Sequence, residues 1–182
     1  MDSALGWIGS LIEWFGQLFP RWVIVSPPMG ALKFVGGKRV VPLGPGVHWY
    51  WPVRTEFKEW PMARQAVDLR AQTICTSDDK TIVIGGMVVY EVKDLEQLLA
   101  HTYDPEETVR EISLSAFHDV CGAHSWESLK AAQRSGGLDR DLRREVKKNL
   151  DNYGVTVLKT MLTDLAPCKV IKLMQSMAKD GV

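Results

Sequence analysis

The chain has 182 residues, 46% of them apolar and 24% charged, which is the composition of a globular domain and excludes wholesale disorder. Lys plus Arg is 22 and Asp plus Glu is 22, so the formal net charge is zero and a nucleic-acid partner held by bulk positive charge is not expected. Cys75, Cys121 and Cys168 are odd in number and widely spaced, so they build no disulfide framework and suit a reducing compartment.

The first segment is the most informative. There are 7 Trp, and Trp7, Trp14, Trp22, Trp49, Trp51 and Trp60 all fall in the first third of the chain. Residues 3–19 predict a helix. At about 100° per residue, Leu5, Trp7, Ile8, Leu11, Ile12, Trp14, Phe15, Leu18 and Phe19 share one arc of about 180°. Asp2, Gly6, Gly9, Ser10, Glu13, Gly16 and Gln17 take the other half. Such a helix spans roughly 25 Å, short of a bilayer core about 30 Å thick, and a spanning helix needs no polar half. Asp2 at the start and Glu13 within the apolar run also argue against a signal peptide. The pattern predicts an amphipathic helix lying in the membrane interface. The competing reading packs the same face on the protein's own core or on a neighbouring subunit.

Charge favours the interface. Between Glu13 and Glu56 there is no acidic residue, while Arg21, Lys33, Lys38, Arg39 and Arg54 are present. Each cation near an anionic surface is worth about 1 kcal/mol.

Pro20 ends the helix. Strands are predicted at residues 22–26, 31–35 and 38–41, the last two joined by the hairpin signal Gly36-Gly37. Leu43-Gly44-Pro45-Gly46 reads as a tight turn, followed by an aromatic strand over 47–51 that Pro52 stops. Further strands are expected at 55–60, 65–69 and 73–76. Ser77-Asp78-Asp79 reads as a turn, and residues 81–92 form a long β-branched strand with Gly85-Gly86 as a bulge or a close backbone approach.

The period then changes. Residues 94–100 suit a short helix. Asp104-Pro105-Glu106-Glu107 is a helix start, with Asp as cap and Pro at the first position, and this helix should run to Val120. Ser125 caps another that ends near Gly136-Gly137. Leu138, Leu142, Val146 and Leu150 give a stripe at intervals of four on a charged helix that Gly154 stops. A strand over 155–162 and a last helix from Pro167 to Met177 complete an α+β order. The expected division is an anchoring helix over 1–20, a β-rich half over 21–100 and an α/β half over 101–182.

Several motifs, taken together in order and spacing, resemble the SPFH or Band 7 family of stomatins, prohibitins and flotillins. Val41-Pro42-Leu43-Gly44-Pro45-Gly46-Val47-His48-Trp49, then Pro52, is similar to its early Gly-Pro-Gly motif. Cys75-Thr76-Ser77-Asp78-Asp79-Lys80-Thr81 resembles its central turn, and Val88-Val89-Tyr90-Glu91-Val92-Lys93-Asp94 the strand end that follows. The segment 110–129 resembles its helix pair. Tyr153-Gly154-Val155-Thr156-Val157 with Leu162-Thr163-Asp164-Leu165 resembles its closing strand. The resemblance implies an SPFH domain in a monotopic scaffold that acts without catalysis. It further implies assembly into rings or cages on the bilayer, organising lipids and membrane proteins. Many members continue into a long coiled coil. This sequence shows no heptad run before Val182, so either the last helix and the SPFH faces suffice for assembly or this is a minimal member with weaker or different oligomerisation.

Trp49 and Trp51 share one face of their strand and Tyr50 the other. The pair either packs in the core or joins an aromatic belt at the bilayer, as the family's placement of this segment near the membrane implies. The expected membrane contacts are therefore the helix arc from Leu5 to Phe19, then Arg21, Trp22, Lys38, Arg39, Trp49 and Trp51. The partners expected are a lipid bilayer and further copies of the chain. Localisation is peripheral to a membrane, on the cytoplasmic face by cysteine usage.

Other chemistry lacks a constellation. His118, Cys121 and His124, with Cys75 or Cys168, have zinc-binding residue types, but their spacing straddles a helix end and no second ligand pair stands at matching distance. No nucleophile elbow, phosphate loop or dinucleotide fingerprint is present, so neither an enzyme nor a cofactor is expected. The alternative function is an interaction module regulating a partner such as a membrane protease, with the N-terminal helix docked on protein instead of lipid.

Overall fold

The computed structural model describes residues 19–168. Among these residues, eight strands form three small sheets; of four α-helices, three pack over the third sheet and the short one, Leu95–His101, lies against the second. The expected helix over Leu5, Trp7, Ile8, Leu11, Ile12, Trp14, Phe15 and Leu18 lies outside the described residues, as does the span 169–177 of the last expected helix.

The first half is built of hairpins. β1 (Arg21–Val25) pairs antiparallel with β4 (Gly46–Tyr50) as a two-stranded ribbon. β2 (Met29–Val35) lies between β3 (Arg39–Leu43) and β5 (Thr55–Pro61) in a second sheet. Gly36 and Gly37 turn β2 into β3 with φ of 60° and 68°, as that dipeptide predicts.

The third sheet carries the core. β6 (Gln65–Cys75) and β8 (Val155–Pro167) flank β7 (Thr81–Val92), all antiparallel. The expected strands 65–69 and 73–76 are one strand. Its pairing with β7 shifts between Leu69 and Gln72 and then resumes, so a bulge takes up Arg70 and Ala71 without ending the ladder. Of the two expectations for Gly85-Gly86, the close approach holds, while the bulge beside them takes up Thr163 of β8 and not a residue of β7. The β7–β8 register shifts between them, and a Cβ on Gly86 would collide with the Phe117 ring and sit 2.9 Å from the Met161 carbonyl oxygen.

The helices are α1 (Leu95–His101), α2 (Pro105–Gly122), α3 (Trp126–Arg134) and α4 (Gly137–Leu150). Their starts follow capping chemistry. The side chains of Asp94, Asp104 and Ser125 accept from the backbone N–H of Gln97, Glu107 and Ser128. The stripe Leu138, Leu142, Val146 and Leu150 is fully buried, joining Val109, Ala116, Phe117 and Cys121 of α2 above the sheet. Each such aliphatic side chain contributes about 1.5–3 kcal/mol. Asp139 ties α4 to β8: Thr160 Oγ1 donates to its carbonyl at 2.8 Å and Leu162 N–H to its carboxylate at 3.3 Å.

Pro167 corrects the expected helix start. It ends β8, opposite Ile82, and Cys168 N–H donates to the Thr81 carbonyl at 2.9 Å. A proline lacks an N–H, which an edge strand tolerates.

Candidate functional site

The β1–β4 ribbon has two unlike faces. Side chains alternate along each strand, so Trp22 and Ile24 of β1 share a face with their partners Trp49 and Val47 of β4. The other face turns inward. Val25 is fully buried, and the Tyr50 ring meets Phe57 of β5 edge-on at 4.6 Å. That inward packing leaves the tryptophan face outside. Trp22, Ile24, Val47, Trp49, Trp51 and Val53 are 56% to 69% exposed, and so is Phe19 just before β1. The structure thus places Trp49 and Trp51 on the surface and not in the core. The Trp22 and Trp49 rings stand 5.6 Å apart at 58°.

A monomeric soluble surface seldom carries so contiguous an apolar face. A tryptophan buries about 150–250 Å² when fully covered, roughly 4–6 kcal/mol at about 25 cal/mol per Å². With 61% of Trp49 and 65% of Trp22 still in water, more than half of that gain is unrealised.

Two cations lie beside this face: Lys33, under Trp49, and Arg21, which lines a shallow pocket with Trp22 and Trp49. Lys33 Nζ donates to the Trp49 carbonyl at 3.1 Å, tying β2 under the ribbon. Arg21 opens β1 opposite Tyr50, and Lys38 and Arg39 follow the Gly36-Gly37 turn, all exposed. None of Arg21, Lys33, Lys38, Arg39 and Arg54 forms a salt bridge among the described residues. Sequence reading missed Ile24, Val47 and Val53. The parity that links Ile24 to Trp22 and Val47 to Trp49 would have added the first two.

Other polar and thiol side chains have local surroundings of their own. The Asp78 carboxylate accepts from Thr76 Oγ1 at 2.7 Å, Trp126 N–H at 3.0 Å and Lys80 Nζ at 3.1 Å. These partners, the Thr76 hydroxyl first, hold its carboxyl well below the usual carboxylate range. The β6–β7 turn is thereby fastened to the start of α3. Glu106 and Glu107 both pair with Arg110 one turn later. Cys121 is buried, and burial pushes its thiol up to about 11. His118 stands beside Asp119, and His124 Nδ1 donates to the Val120 carbonyl at 2.8 Å. Among the described residues no group of three His, Cys, Asp or Glu is placed to hold a metal, and no helix is long and apolar enough to cross a membrane.

The model of the SPFH domain / Band 7 family matches residues 23–181. Among curated proteins, the chain is 22% identical over 163 residues to a "putative band 7 family protein" of Acanthamoeba polyphaga mimivirus. That match covers 88% of this chain and 52% of the viral protein, so the chain spans about half the length of the curated relative it matches.

Proposed function

The chain belongs to the SPFH/Band 7 family, and on that premise we propose that it is a peripheral membrane scaffold docked through the β1–β4 ribbon. The observation that carries this reading is the exposed face of Trp22, Ile24, Val47 and Trp49, beside Lys33 and Arg21, which have no carboxylate partner among the described residues. Tryptophan suits the headgroup level, where its ring is partly covered and its N–H stays wet. Arg21, Lys38 and Arg39 meet anionic headgroups there. The N-terminal amphipathic segment enters the same interface as a second anchor, joined to β1 through Pro20. The docking step is partition, without covalent chemistry. Assembly of several copies on one bilayer multiplies a modest affinity per copy by avidity, and the assembled array organises lipids and membrane proteins.

Flotation with liposomes tests the reading. The full chain should rise with vesicles of phosphatidylcholine containing phosphatidylglycerol. A folded chain that stays at the bottom would overturn the lipid reading and leave a protein partner as the occupant of this face. Crosslinking on vesicles tests assembly, with species larger than a monomer expected only when lipid is present.

A further inference from the structure

A groove of about 480 Å³ opens beside the aromatic ribbon, lined by Lys33, Val35, Trp51, Val53, Arg54 and Thr55. Its volume lies in the range that holds a small organic ligand, roughly 300–1,000 Å³. Its floor is β2 and its wall is the link between β4 and β5. That link is held in place: Gly36 N–H donates to the Arg54 carbonyl at 2.8 Å, and Arg54 N–H to the Trp51 carbonyl at 3.2 Å. The apolar walls are Val35, Trp51 and Val53, the last two exposed. The polar groups include two cations, and neither has a carboxylate partner among the described residues. The Lys33 ammonium gives one N–H to the Trp49 carbonyl and has two more to donate.

We propose that this groove binds a single anionic phospholipid, with the headgroup phosphate between Lys33 and Arg54 and the root of the acyl chains against Trp51, Val53 and Val35. Charge complementarity selects the occupant. An apolar trough with two cations that have no carboxylate partner among the described residues fits a molecule that is anionic at one end and hydrocarbon at the other. No acidic residue between Glu13 and Glu56 competes for those cations from within the segment. The inference deepens the membrane reading and rests on it, since it names the lipid class that the docked face selects.

The test uses a lipid that is monomeric in solution, so it does not depend on docking to a bilayer. Dihexanoylphosphatidylglycerol is titrated below its micelle concentration into the full chain, with tryptophan fluorescence as readout. Saturable binding is expected, with dihexanoylphosphatidylcholine weaker by about tenfold or more. The K33Q/R54Q double variant should lose about tenfold or more in affinity for the anionic lipid while still folding cooperatively by thermal melt. R143Q/K147Q, which removes two exposed cations from α4, should bind as the wild type does. The proposal is overturned by no saturable binding, by equal loss in both double variants, or by full affinity in K33Q/R54Q. It is equally overturned if inorganic phosphate, or a peptide of residues 1–19, displaces the lipid at equal concentration. Monomer binding without flotation would refute docking and keep the site; flotation without monomer binding would refute the site and keep docking.

Discussion

Trp22 and Trp49 face each other across the β1–β4 ribbon, their ring centroids 5.6 Å apart, and both remain mostly in water. The pair is the centre of the apolar face. Being exposed, it contributes little to folding, and surface substitutions of this kind change stability by about 0.5 kcal/mol or less. W22A/W49A should therefore keep the wild-type melt yet lose about tenfold or more in vesicle affinity, by co-sedimentation with phosphatidylglycerol-containing liposomes. A variant that melts early would instead place these rings in the fold.

Asp78 gives a pH signature. Its folded-state pKa is lowered by Thr76, Trp126 and Lys80, against about 3.9 in an unfolded chain. The native state thus holds the charged form more tightly. Its contribution is in place above about pH 4 and is lost as pH falls toward the native value. D78N should melt below the wild type at pH 7, and the gap should narrow as pH is taken down toward 3. Thermal melts across that range check it, and a gap that widens on acidification contradicts the assignment.

Gly154 holds a left-handed turn, φ 68°, where the chain leaves α4 for β8. Its carbonyl accepts from the N–H of Lys93 and Asp94, both at 2.9 Å, and an added Cβ would collide with the Asp94 carbonyl. G154A should cost about 1–2 kcal/mol for the backbone alone, plus the displacement of α1. Urea unfolding measures it.

The three thiols should separate by reactivity. Cys75 is exposed and Cys168 half-buried, while Cys121 is buried with its thiol near 11. At pH 8 a thiol reagent should label Cys75 fastest and leave Cys121 unmodified until the chain unfolds. Mass spectrometry after a timed pulse reads the order directly.

The core packing also sets a scale for these losses. L142A removes a fully buried side chain between α4 and the sheet and should cost about 2–5 kcal/mol.

What was legible in the sequence was local. The interval-of-four stripe of α4, the Asp104-Pro105 start of α2 and the Gly36-Gly37 turn are signals carried within a few residues, and each element stands where it was expected. Non-local pairing was not legible. The bulge that joins 65–69 to 73–76 depends on β7 offering continued partners, and the strand at Pro167 depends on Ile82 opposite it. The aromatic face shows the same limit. Alternation puts Trp49 opposite in sense to Tyr50, but only the packing of Tyr50 on Phe57 decides which of them faces water. Likewise, Lys33 and Arg54 lie far apart in the chain and meet at one groove only through the β2–β5 pairing.

Vesicle flotation of the full chain beside W22A/W49A tests the central claim most directly. The account predicts that the full chain rises with phosphatidylglycerol-containing liposomes and that the folded double variant rises far less. Equal flotation of the two would contradict the claim that the β1–β4 face docks on the bilayer.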